Sequence, residues 1–372
     1  MKNMNCFFIT ILLLITGCGS KEPSGPEPPA AAEDYLSISP VEFSIQASGG
    51  SRTVTVTSNT NWTISSDTEW CTCSPKSGGM GGGNISIIAT ANFTGSTRSA
   101  ALTFTTGPVS KTCTVSQEST PMPDYVPQGY TLVWQDEFDE PRSSDGKAAL
   151  PNSSNWCFET GDSGWGNNEL QNYIAGFSGL DTCAQVYGGT LKIIAKKVGN
   201  QVLSIRMNTI ASWTYGYFEA RMKLPSGKGT WPAFWMLPEN FVRWPDDGEI
   251  DIMEEVGYDP NNIVCSIHCK AYYHSIGTQK SATRRVSTSQ TDFHVYAVEW
   301  TDDYIYGFVD GVRYFTFAND KTGNRDTWPF NAPFYLKLNL AWGGDWGGAQ
   351  GVDESVLPAT YEIDYVRVYQ RE

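Results

Sequence analysis

The chain has 372 residues, of which 40% are hydrophobic and only 18% are charged. Its formal net charge of −14 argues against nucleic acid or another polyanion as the partner. The 36 glycines, 13 tryptophans, 18 tyrosines and 17 phenylalanines instead favour short strands, tight turns and aromatic surfaces that suit a neutral polymer.

The first seventeen residues have the pattern of an export signal. Lys2 precedes an apolar run from Phe7 to Ile15, which is too short to cross a bilayer as a stable helix. The segment ends in Ile15-Thr16-Gly17-Cys18, which resembles a bacterial lipoprotein signal and implies a lipid on Cys18. We therefore expect a signal peptide over 1–17 and a protein exported to the outer membrane, on its periplasmic or surface side. An ordinary signal peptide with an incidental cysteine is the alternative.

Two predicted segments follow the signal. Residues 18–33 are rich in Pro, Ser, Ala and Glu and are predicted to form a disordered tether. Residues 34–119 contain alternating runs such as Thr53-Val54-Thr55-Val56-Thr57, with Gly-rich turns between them. Short strands at regular spacing predict a small β-sandwich.

Motifs within residues 34–119 resemble a BACON domain. In chain order they are Asn61-Trp62-Thr63, Glu69-Trp70, Ser74-Pro75-Lys76-Ser77-Gly78, Arg98 and Cys113-Thr114-Val115-Ser116-Gln117. The resemblance implies an Ig-like module of the kind that precedes glycan-degrading enzymes in Bacteroidetes and often acts as a spacer. We expect Trp62 and Trp70 to belong to its core, and a ligand for this module is left open.

The rest of the chain is predicted to be one large β domain. Residues 120–128 contain three prolines and are predicted to be a linker, and residues 129–372 form one unit. No strong amphipathic helical pattern occurs in this unit. An all-β fold of two packed antiparallel sheets, a jelly roll, is therefore predicted. Its predicted strands are Leu132–Trp134, Leu191–Ile194, Tyr217–Arg221, Glu249–Glu254, Val295–Trp300, Tyr304–Val309, Phe334–Leu340 and Tyr361–Tyr369.

The run Gly248-Glu249-Ile250-Asp251-Ile252-Met253-Glu254-Glu255 concentrates carboxylates on one predicted strand. Alternation puts Glu249 and Asp251 on one face, whereas Glu254 would point to the other face. A β-bulge at about Met253 would return Glu254 to the acidic face, and bulges are frequent beside active sites. Three carboxylates on one face repel one another, so their pKa values must spread, as acid–base chemistry on a sugar requires.

Three interpretations of this run remain open from its residues alone. The run could be a solvated acidic edge, a Ca²⁺ site built from oxygen ligands, or a catalytic pair. Glycoside hydrolysis uses two carboxyl groups, about 5–5.5 Å apart when the anomeric configuration is retained. Glu249 and Glu254 would be roughly 16 Å apart along an ideal strand, so they converge only if the bulge and sheet curvature shorten the path.

Five motifs between residues 129 and 371 together resemble glycoside hydrolase family 16, in its laminarinase-like branch. Besides the acidic run, they are Gly164-Trp165-Gly166-Asn167-Asn168-Glu169-Leu170-Gln171, Tyr215 to Arg221 followed by Gly229 to Pro238, Ile267-His268, and Leu338 to Trp346. The resemblance implies a concanavalin-like jelly roll with a concave cleft. Within the family, the inserted Met253 is similar to the bulged form of laminarinases, agarases and carrageenases rather than to the unbulged lichenases.

The resemblance also implies the roles of the acidic residues. Glu249 matches the nucleophile, and Glu254 matches the general acid that later activates water. Asp251 would lie between them, hold Glu254 protonated and hydrogen-bond Glu249. Glu255 falls outside the alternation and is expected to be solvated or structural. No catalytic cofactor is implied.

The resemblance implies further substrate-binding residues around this strand. Aromatic faces stack on pyranose rings, and amide, guanidinium and imidazole groups hydrogen-bond to sugar hydroxyls. The expected binding residues are Trp231, Trp235, Asn168, Arg206, Trp244, His268, Asn339, Trp342 and Trp165. For Trp346, cleft lining and simple packing are left equally open, and His268 has a structural role as its alternative.

Members of this branch often hold one structural Ca²⁺ away from the cleft. By that resemblance its ligands would be Glu137, the Gly189 carbonyl and Asp364. Ordinary surface acids are the alternative interpretation.

We therefore expect a retaining endo-β-glucanase that cleaves β-1,3-glucan, mixed-linkage β-1,3/1,4-glucan or both. The alternatives are an agarase- or carrageenase-type galactan hydrolase and a non-catalytic surface glycan-binding lipoprotein. A galactan with sulfate groups would favour extra basic residues, and 129–371 contains no run of basic residues longer than pairs such as Arg284-Arg285. A binding protein has no need of an intact trio of Glu249, Asp251 and Glu254. We expect a monomer whose contacts are a β-glucan and, through its lipid, a membrane, and disulfide pairing stays open.

Overall fold

The computed structural model describes residues 33–119, 122–139, 148–178 and 181–371. The expected signal peptide, Cys18 and nearly all of the tether lie outside these residues. The described chain is almost entirely β-structure, so the all-β prediction is confirmed. None of its helices is long and apolar enough to cross a membrane.

Two small sheets pack together in the N-terminal part. The four-stranded sheet has the order β1-β3-β7-β5, and the five-stranded sheet has the order β2-β9-β8-β4-β6. Alternating residues such as Val54, Val56, Ile85 and Ile87 are buried between them. The strands are β1 (Leu36–Ser39), β2 (Glu42–Ile45), β3 (Gly50–Ser58), β4 (Trp62–Ser66), β5 (Cys71–Ser74), β6 (Ser77–Gly78), β7 (Gly83–Ala89), β8 (Arg98–Thr106) and β9 (Val109–Gln117).

The two tryptophans of this part support its core, as expected. Trp62 is 2% exposed within the core. Trp70 is partly buried beneath Arg98, whose guanidinium carbon lies 4.2 Å from the centre of its ring. Both residues therefore contribute to the packing of this part, and the buried Trp62 offers no aromatic surface to a ligand.

The described residues of the C-terminal part form two larger sheets and one separate pair of short strands, Phe177–Ser178 with Asp181–Thr182. One has ten strands and the main order β12-β17-β16-β28-β19-β24-β25-β26, and the other has seven strands in the order β11-β18-β27-β20-β21-β22-β23. The strands are β10 (Tyr130–Asp136), β11 (Trp156–Glu159), β12 (Gln171–Tyr173), β13 (Phe177–Ser178), β14 (Asp181–Thr182), β15 (Ala184–Val186), β16 (Leu191–Val198), β17 (Gln201–Ser204), β18 (Arg206–Thr209), β19 (Gly216–Lys223), β20 (Thr230–Pro238), β21 (Glu249–Glu254), β22 (Asn262–His268), β23 (Lys280–Arg285), β24 (His294–Trp300), β25 (Tyr304–Val309), β26 (Val312–Ala318), β27 (Phe334–Trp342) and β28 (Ala359–Arg371).

A single large core joins these two sheets. Both sheets contribute alternate side chains to it, among them Phe218, Phe234, Ile250, Leu338 and Val366. The opposite face of the seven-stranded sheet carries the polar and aromatic residues of the predicted site, and we call it the cleft face. Three short helices lie in loops: α1 (Gly344–Gly347) and two 3₁₀ turns (His274–Ile276 and Glu354–Val356).

A third, smaller cluster lies between the two parts of the chain. Val126 and Tyr130 pack against Tyr217 and Tyr369 of the ten-stranded sheet. Phe93, from the N-terminal part, lies 6.5 Å from Tyr369, measured between ring centres. The N-terminal part therefore touches the sheet that faces away from the cleft face. Six of the seven cysteines of the described residues have free thiols: Cys71, Cys73, Cys113, Cys157, Cys265 and Cys269.

Candidate active site

Strand β21 contains the bulge that the sequence predicts. Asp251 lies opposite Ser266 of β22 and Glu254 lies opposite Val264, so two residues of β21 face one residue of its neighbour. The two residues of the bulge, Ile252 and Met253, are both fully buried in the core. As a consequence Glu254 returns to the face that carries Glu249 and Asp251.

The three carboxyl groups are held by specific neighbours. Asp251 is 4% exposed and accepts a hydrogen bond of 2.6 Å from the Ser266 hydroxyl. Glu254 accepts a hydrogen bond of 2.9 Å from the indole N–H of Trp231. One polar atom each from Glu249, Asp251 and His268 lies within 4.8 Å of the others.

The environment separates the proton affinities of the two glutamates. Burial raises the pKa of Glu249 and that of Glu254, and the charge of Asp251 raises both further. For Glu254, the charge of Glu249 adds to the rise, and the Trp231 hydrogen bond and the charge of His268 oppose it. For Glu249, the opposing influences are His268, Trp244 and Arg206. Trp244 and Arg206 therefore favour the ionised form of Glu249, as a nucleophile requires, and the charges of Asp251 and Glu249 favour the protonated form of Glu254, as a general acid requires.

His268 neutralises part of this negative charge. Burial by itself would lower its pKa, but the hydrogen bond and charge of Asp251, followed by Glu249 and Glu254, raise the pKa to about 9. The His268 Nε2 atom lies 3.4 Å from the Asp251 carboxylate, and Nδ1 is buried without a partner among the described residues. A protonated imidazole does not bind a metal ion, so the cluster is better explained as an ion pair than as a metal site.

Trp231 and Trp235 project from β20 onto the cleft face, as expected, while Phe234 and Met236 between and beside them enter the core. The indole N–H of Trp235 donates to the Asn339 amide oxygen at 2.7 Å. Asn339 is 5% exposed, and its amide nitrogen donates to the Tyr173 hydroxyl at 3.1 Å. Asn339 is therefore brought into the site, where it fixes the orientation of Trp235.

Arg206 and Trp165 extend the site toward β11 and β18. The Arg206 guanidinium carbon lies 4.6 Å from the ring centre of Trp165 and 4.8 Å from that of Trp235. Glu159 forms an ion pair with Arg206 and, at 2.8 Å, with the fully buried amine of Lys337. Neither Glu159 nor Lys337 was found from the sequence, although Lys337 alternates with Asn339 on the same strand.

Asn168 is exposed and turns toward the short helix α1. Its side-chain amide donates to both carboxylate oxygens of Asp345, at 2.9 and 3.0 Å. The structure therefore places Asn168 at the rim of the site, with Asp345 as a partner that the sequence did not predict.

The prediction that Trp342 lines the cleft is wrong. Trp342 is 1% exposed and shares the core-facing side of β27 with Leu338 and Leu340. The aromatic residue that reaches the site from this segment is Trp346, which meets Trp231 edge-on with 5.4 Å between ring centres. Trp346 was left open in the sequence analysis, and alternation along β27 could have resolved both residues.

Trp244 lies beside the nucleophile end of β21 in an aromatic group. Its ring centre is 5.9 Å from that of His268, 5.1 Å from that of His274 and 5.6 Å from that of Tyr273. His274 and Tyr273 come from the loop after β22, and no sequence pattern marked them. Glu255, by contrast, is 1% exposed and accepts a hydrogen bond of 2.8 Å from Ser289, so its role is structural.

The three residues expected to bind Ca²⁺ lie away from the cleft face. Both oxygens of Glu137 accept hydrogen bonds from Arg367, at 2.7 and 2.9 Å, and Asp364 is paired with Arg221 at 2.6 Å. The carbonyl groups of Glu137 and Gly189 accept no hydrogen bond from described residues. Carbonyl oxygens are suitable Ca²⁺ ligands, so the donor set fits a cation through its backbone more than through its side chains.

Comparison with known proteins gives a consistent result. Residues 179–367 match the family model described as glycosyl hydrolases family 16, and residues 35–120 match the model described as viral BACON domain. The chain is 46% identical to a beta-glucanase of Rhodothermus marinus over 254 residues, which cover 65% of this chain and 85% of that protein.

Two solved structures are similar over the same part. The laminarinase from Rhodothermus marinus has 46% identity and a TM-score of 0.60, and the match covers 65% of this chain and 97% of that one. SCLam, a non-specific endo-beta-1,3(4)-glucanase, has 43% identity and a TM-score of 0.61, and the match covers 68% of this chain and 95% of that one.

Proposed function

This chain belongs to glycoside hydrolase family 16, and from that premise we propose that it is a retaining endo-β-glucanase acting on β-1,3-glucan, mixed-linkage β-1,3/1,4-glucan or both. The observation that carries the proposal is the bulge of β21, which places Glu249, Asp251 and Glu254 on one face. The different neighbours of Glu249 and Glu254 support one of them as the nucleophile and the other as the acid.

The reaction follows from this assignment in two steps. In the first step the Glu249 carboxylate forms a bond to the anomeric carbon, and the glycosidic bond breaks as Glu254 gives its proton to the leaving oxygen. In the second step Glu254 takes a proton from water, and that water displaces Glu249 from the anomeric carbon. The Trp231 hydrogen bond fixes the orientation of Glu254 throughout.

Asp251 and His268 act on the glutamates through their charges. The negative charge of Asp251 keeps the proton on Glu254, and the positive charge of His268 limits the cost of burying three carboxyl groups together. Neither residue needs to bond to the sugar for this effect.

The cleft face suits a neutral polymer better than a sulfated one. Trp165, Trp231 and Trp235 supply aromatic surface, which stacks on the apolar faces of sugar rings. The two cations at this end of the site, Arg206 and Lys337, both contact Glu159, which neutralises one of their two charges, and burial lowers the pKa of Lys337 to about 8. This balance favours a glucan over the carrageenan alternative.

The proposal is tested by incubating the full chain with laminarin, barley β-glucan and agarose, and measuring reducing ends and product sizes. Oligosaccharides from laminarin or barley β-glucan, with agarose intact, are expected. Cleavage of agarose alone would transfer the function to the galactan hydrolases. A chain that binds these polymers and cleaves none of them would be a glycan-binding protein instead.

We further propose that the protein is exported and anchored by a lipid on Cys18. The support is the sequence Ile15-Thr16-Gly17-Cys18 at the end of a short apolar run. In a bacterial host, labelled palmitate should enter the wild-type protein and the membrane fraction should contain it. Cys18→Ala should lose both properties, and a Cys157→Ala control should keep both.

A structural Ca²⁺ is also proposed, bound near Glu137, Gly189 and Asp364. The support is the pair of carbonyl groups of Glu137 and Gly189, which accept no hydrogen bond from the described residues. Added Ca²⁺ should raise the melting temperature of the wild-type protein, and a chelator should lower it. Equal melting curves with Ca²⁺ and with a chelator would exclude the ion.

The sequence-derived domain boundaries are retained as a proposal, with a β-sandwich spacer at 34–119, a linker at 120–128 and the hydrolase at 129–372. The protein is proposed to act as a monomer.

A further inference from the structure

A second cavity lies outside the acidic site, where β19 and β27 begin. It has a volume of roughly 330 Å³, within the range of small-ligand sites, and shares no residue with those assigned to the cleft face. The residues of its wall that bear on its chemistry are Tyr215, Asp302, Lys321, Arg325, Trp328 and Asn331.

Three hydrogen-bonding groups of this wall have no partner in the described part of the chain. They are the hydroxyl of Tyr215, the side-chain amide of Asn331 and the indole N–H of Trp328. An aromatic ring beside free donors and acceptors is the combination with which proteins hold sugars, because the ring covers C–H surface while the polar groups bond to hydroxyls.

The charged groups of the wall are already paired. The Lys321 amine lies 2.5 Å from Asp303 and donates to the Asp302 carbonyl at 2.9 Å. Arg325 forms an ion pair with Asp247. The Lys321 amine also lies 3.6 Å from the Asp302 carboxylate, so three aspartates surround the two cations. The cavity therefore offers no net positive charge to a phosphate or a sulfate, and a neutral ligand fits better than an anion.

The wall is also held rigidly, which lowers the entropy lost on binding. The Tyr215 ring meets Trp300 edge-on with 5.3 Å between ring centres, and Trp328 stacks on Phe317 at 5.3 Å. These contacts fix both aromatic side chains before a ligand arrives.

Asp247 connects the cavity to the active site. The Asp247 carboxylate that pairs with Arg325 also accepts hydrogen bonds from the backbone N–H groups of Val242 and Arg243, at 2.8 and 2.7 Å. The next residue is Trp244, which packs on His268 beside the acidic cluster. The cavity and the cleft therefore keep a fixed relation to each other.

We propose that this cavity is a second carbohydrate-binding site, which holds a neutral β-glucan segment while the cleft cleaves another part of the polymer. The inference rests on the proposed function, because that function supplies the ligand. Two linked sites on one chain raise the retention on a polymer without changing the chemistry at either site.

The test compares Tyr215→Phe, Asn331→Ala and the double variant with the wild-type protein. Tyr215→Phe keeps the ring and its contact with Trp300, and Asn331→Ala removes an exposed amide, so neither change empties the core. Tyr306→Phe is the matched control, because Tyr306 stacks on Tyr304 on β25 and does not line the cavity.

Two readouts separate the second site from the cleft. Adsorption to curdlan, an insoluble β-1,3-glucan, should weaken by about 2- to 10-fold for each substitution, as expected for one lost hydrogen bond. Hydrolysis of soluble laminarihexaose should stay at the wild-type rate in all variants, and the Tyr306→Phe control should match the wild-type protein in both assays.

Unchanged curdlan adsorption in the double variant would overturn the inference. A parallel loss of laminarihexaose hydrolysis would also overturn it, since the residues would then belong to the cleft. Equal loss of adsorption to starch granules would overturn the β-glucan as ligand. A wild-type protein that cleaves neither laminarin nor barley β-glucan would instead refute the proposed function.

Discussion

The position of one proton decides the chemistry at the residue scale. Glu249 and Glu254 share a strand, a face and the charge of Asp251, yet their remaining neighbours differ. His268 and Arg206 favour the ionised form of Glu249, whereas Glu254 has Trp231 as its main stabilising partner. The same residue type can therefore serve as nucleophile and as acid on one strand.

Trp231→Phe should shift the alkaline limb of the pH profile of kcat/KM upward. The indole N–H stabilises the ionised form of Glu254, so its removal raises the pKa of the general acid further. We expect the maximal rate to fall by about tenfold, because Glu254 also loses its fixed orientation. A profile measured on laminarin between pH 4 and 9 tests this, with Trp346→Phe as the control. A downward shift would contradict the assignment of Glu254.

The placement of Glu249, Asp251 and Glu254 on one face could be predicted from the sequence, because strand alternation depends only on neighbouring residues. Residues that reach the site from other segments could be predicted only where a family motif marked them. For Trp342 the family motif led to a wrong prediction that strand alternation would have corrected. Leu338 and Leu340 lie on the core-facing side of the strand, and Trp342 continues their alternation. His274 lies beside Trp244 only because two loops meet, and no single segment encodes that contact.

At the scale of elements, the seven-stranded sheet brings residues that are far apart in the sequence together in one site. Strands β20, β21 and β27 are neighbours in space although β27 is far away in the chain. The bulge of β21 was predictable, because without it Glu254 would be buried in the core. The pairing of β27 with β20, which brings Asn339 to Trp235, depends on long-range packing and was not predictable from the residues of either strand.

Glu219 of β19 should make stability depend on pH. It is fully buried, and burial raises its pKa to about 7, although Arg367 and the Tyr369 hydroxyl oppose the rise. Because this pKa is above the unfolded value, Glu219 stabilises the fold when protonated, and that contribution is lost as the pH rises through about 7.

The stability of the Glu219→Gln variant relative to the wild-type protein should therefore increase as the pH rises. We expect its free energy of unfolding, relative to wild type, to improve by on the order of 2–3 kcal/mol between pH 5 and pH 8. Urea denaturation at the two pH values measures this difference. An unchanged difference between the two proteins would show that Glu219 is ionised in the fold.

At the scale of the whole molecule, the N-terminal part covers a face of the hydrolase that has no role in catalysis. Phe93 lies against Tyr369, and the Arg367 guanidinium carbon lies 5.2 Å from the Phe93 ring centre. The order of the two parts was evident from the sequence, since their compositions differ. Their contact was not, because Phe93 lies in a loop without a recognisable pattern.

Phe93→Ala should loosen this contact without affecting catalysis. Loss of a half-buried aromatic side chain should cost about 1–2 kcal/mol of stability. Protease cleavage near residues 120–128 should become faster, while the rate on laminarin stays unchanged. Tyr35→Ala, at an exposed position, serves as the control. Unchanged proteolysis would mean that Phe93 does not hold the two parts together.

The most direct test of the central claim is the anomeric configuration of the first product, followed by proton NMR during hydrolysis of laminarin. If Glu249 forms a covalent intermediate that Glu254 then resolves with water, two displacements occur and the first product is the β-anomer. The α-anomer appears only later, by mutarotation. An α-anomer at the earliest time points would show a single displacement by water and would contradict the assignment of Glu249 as nucleophile.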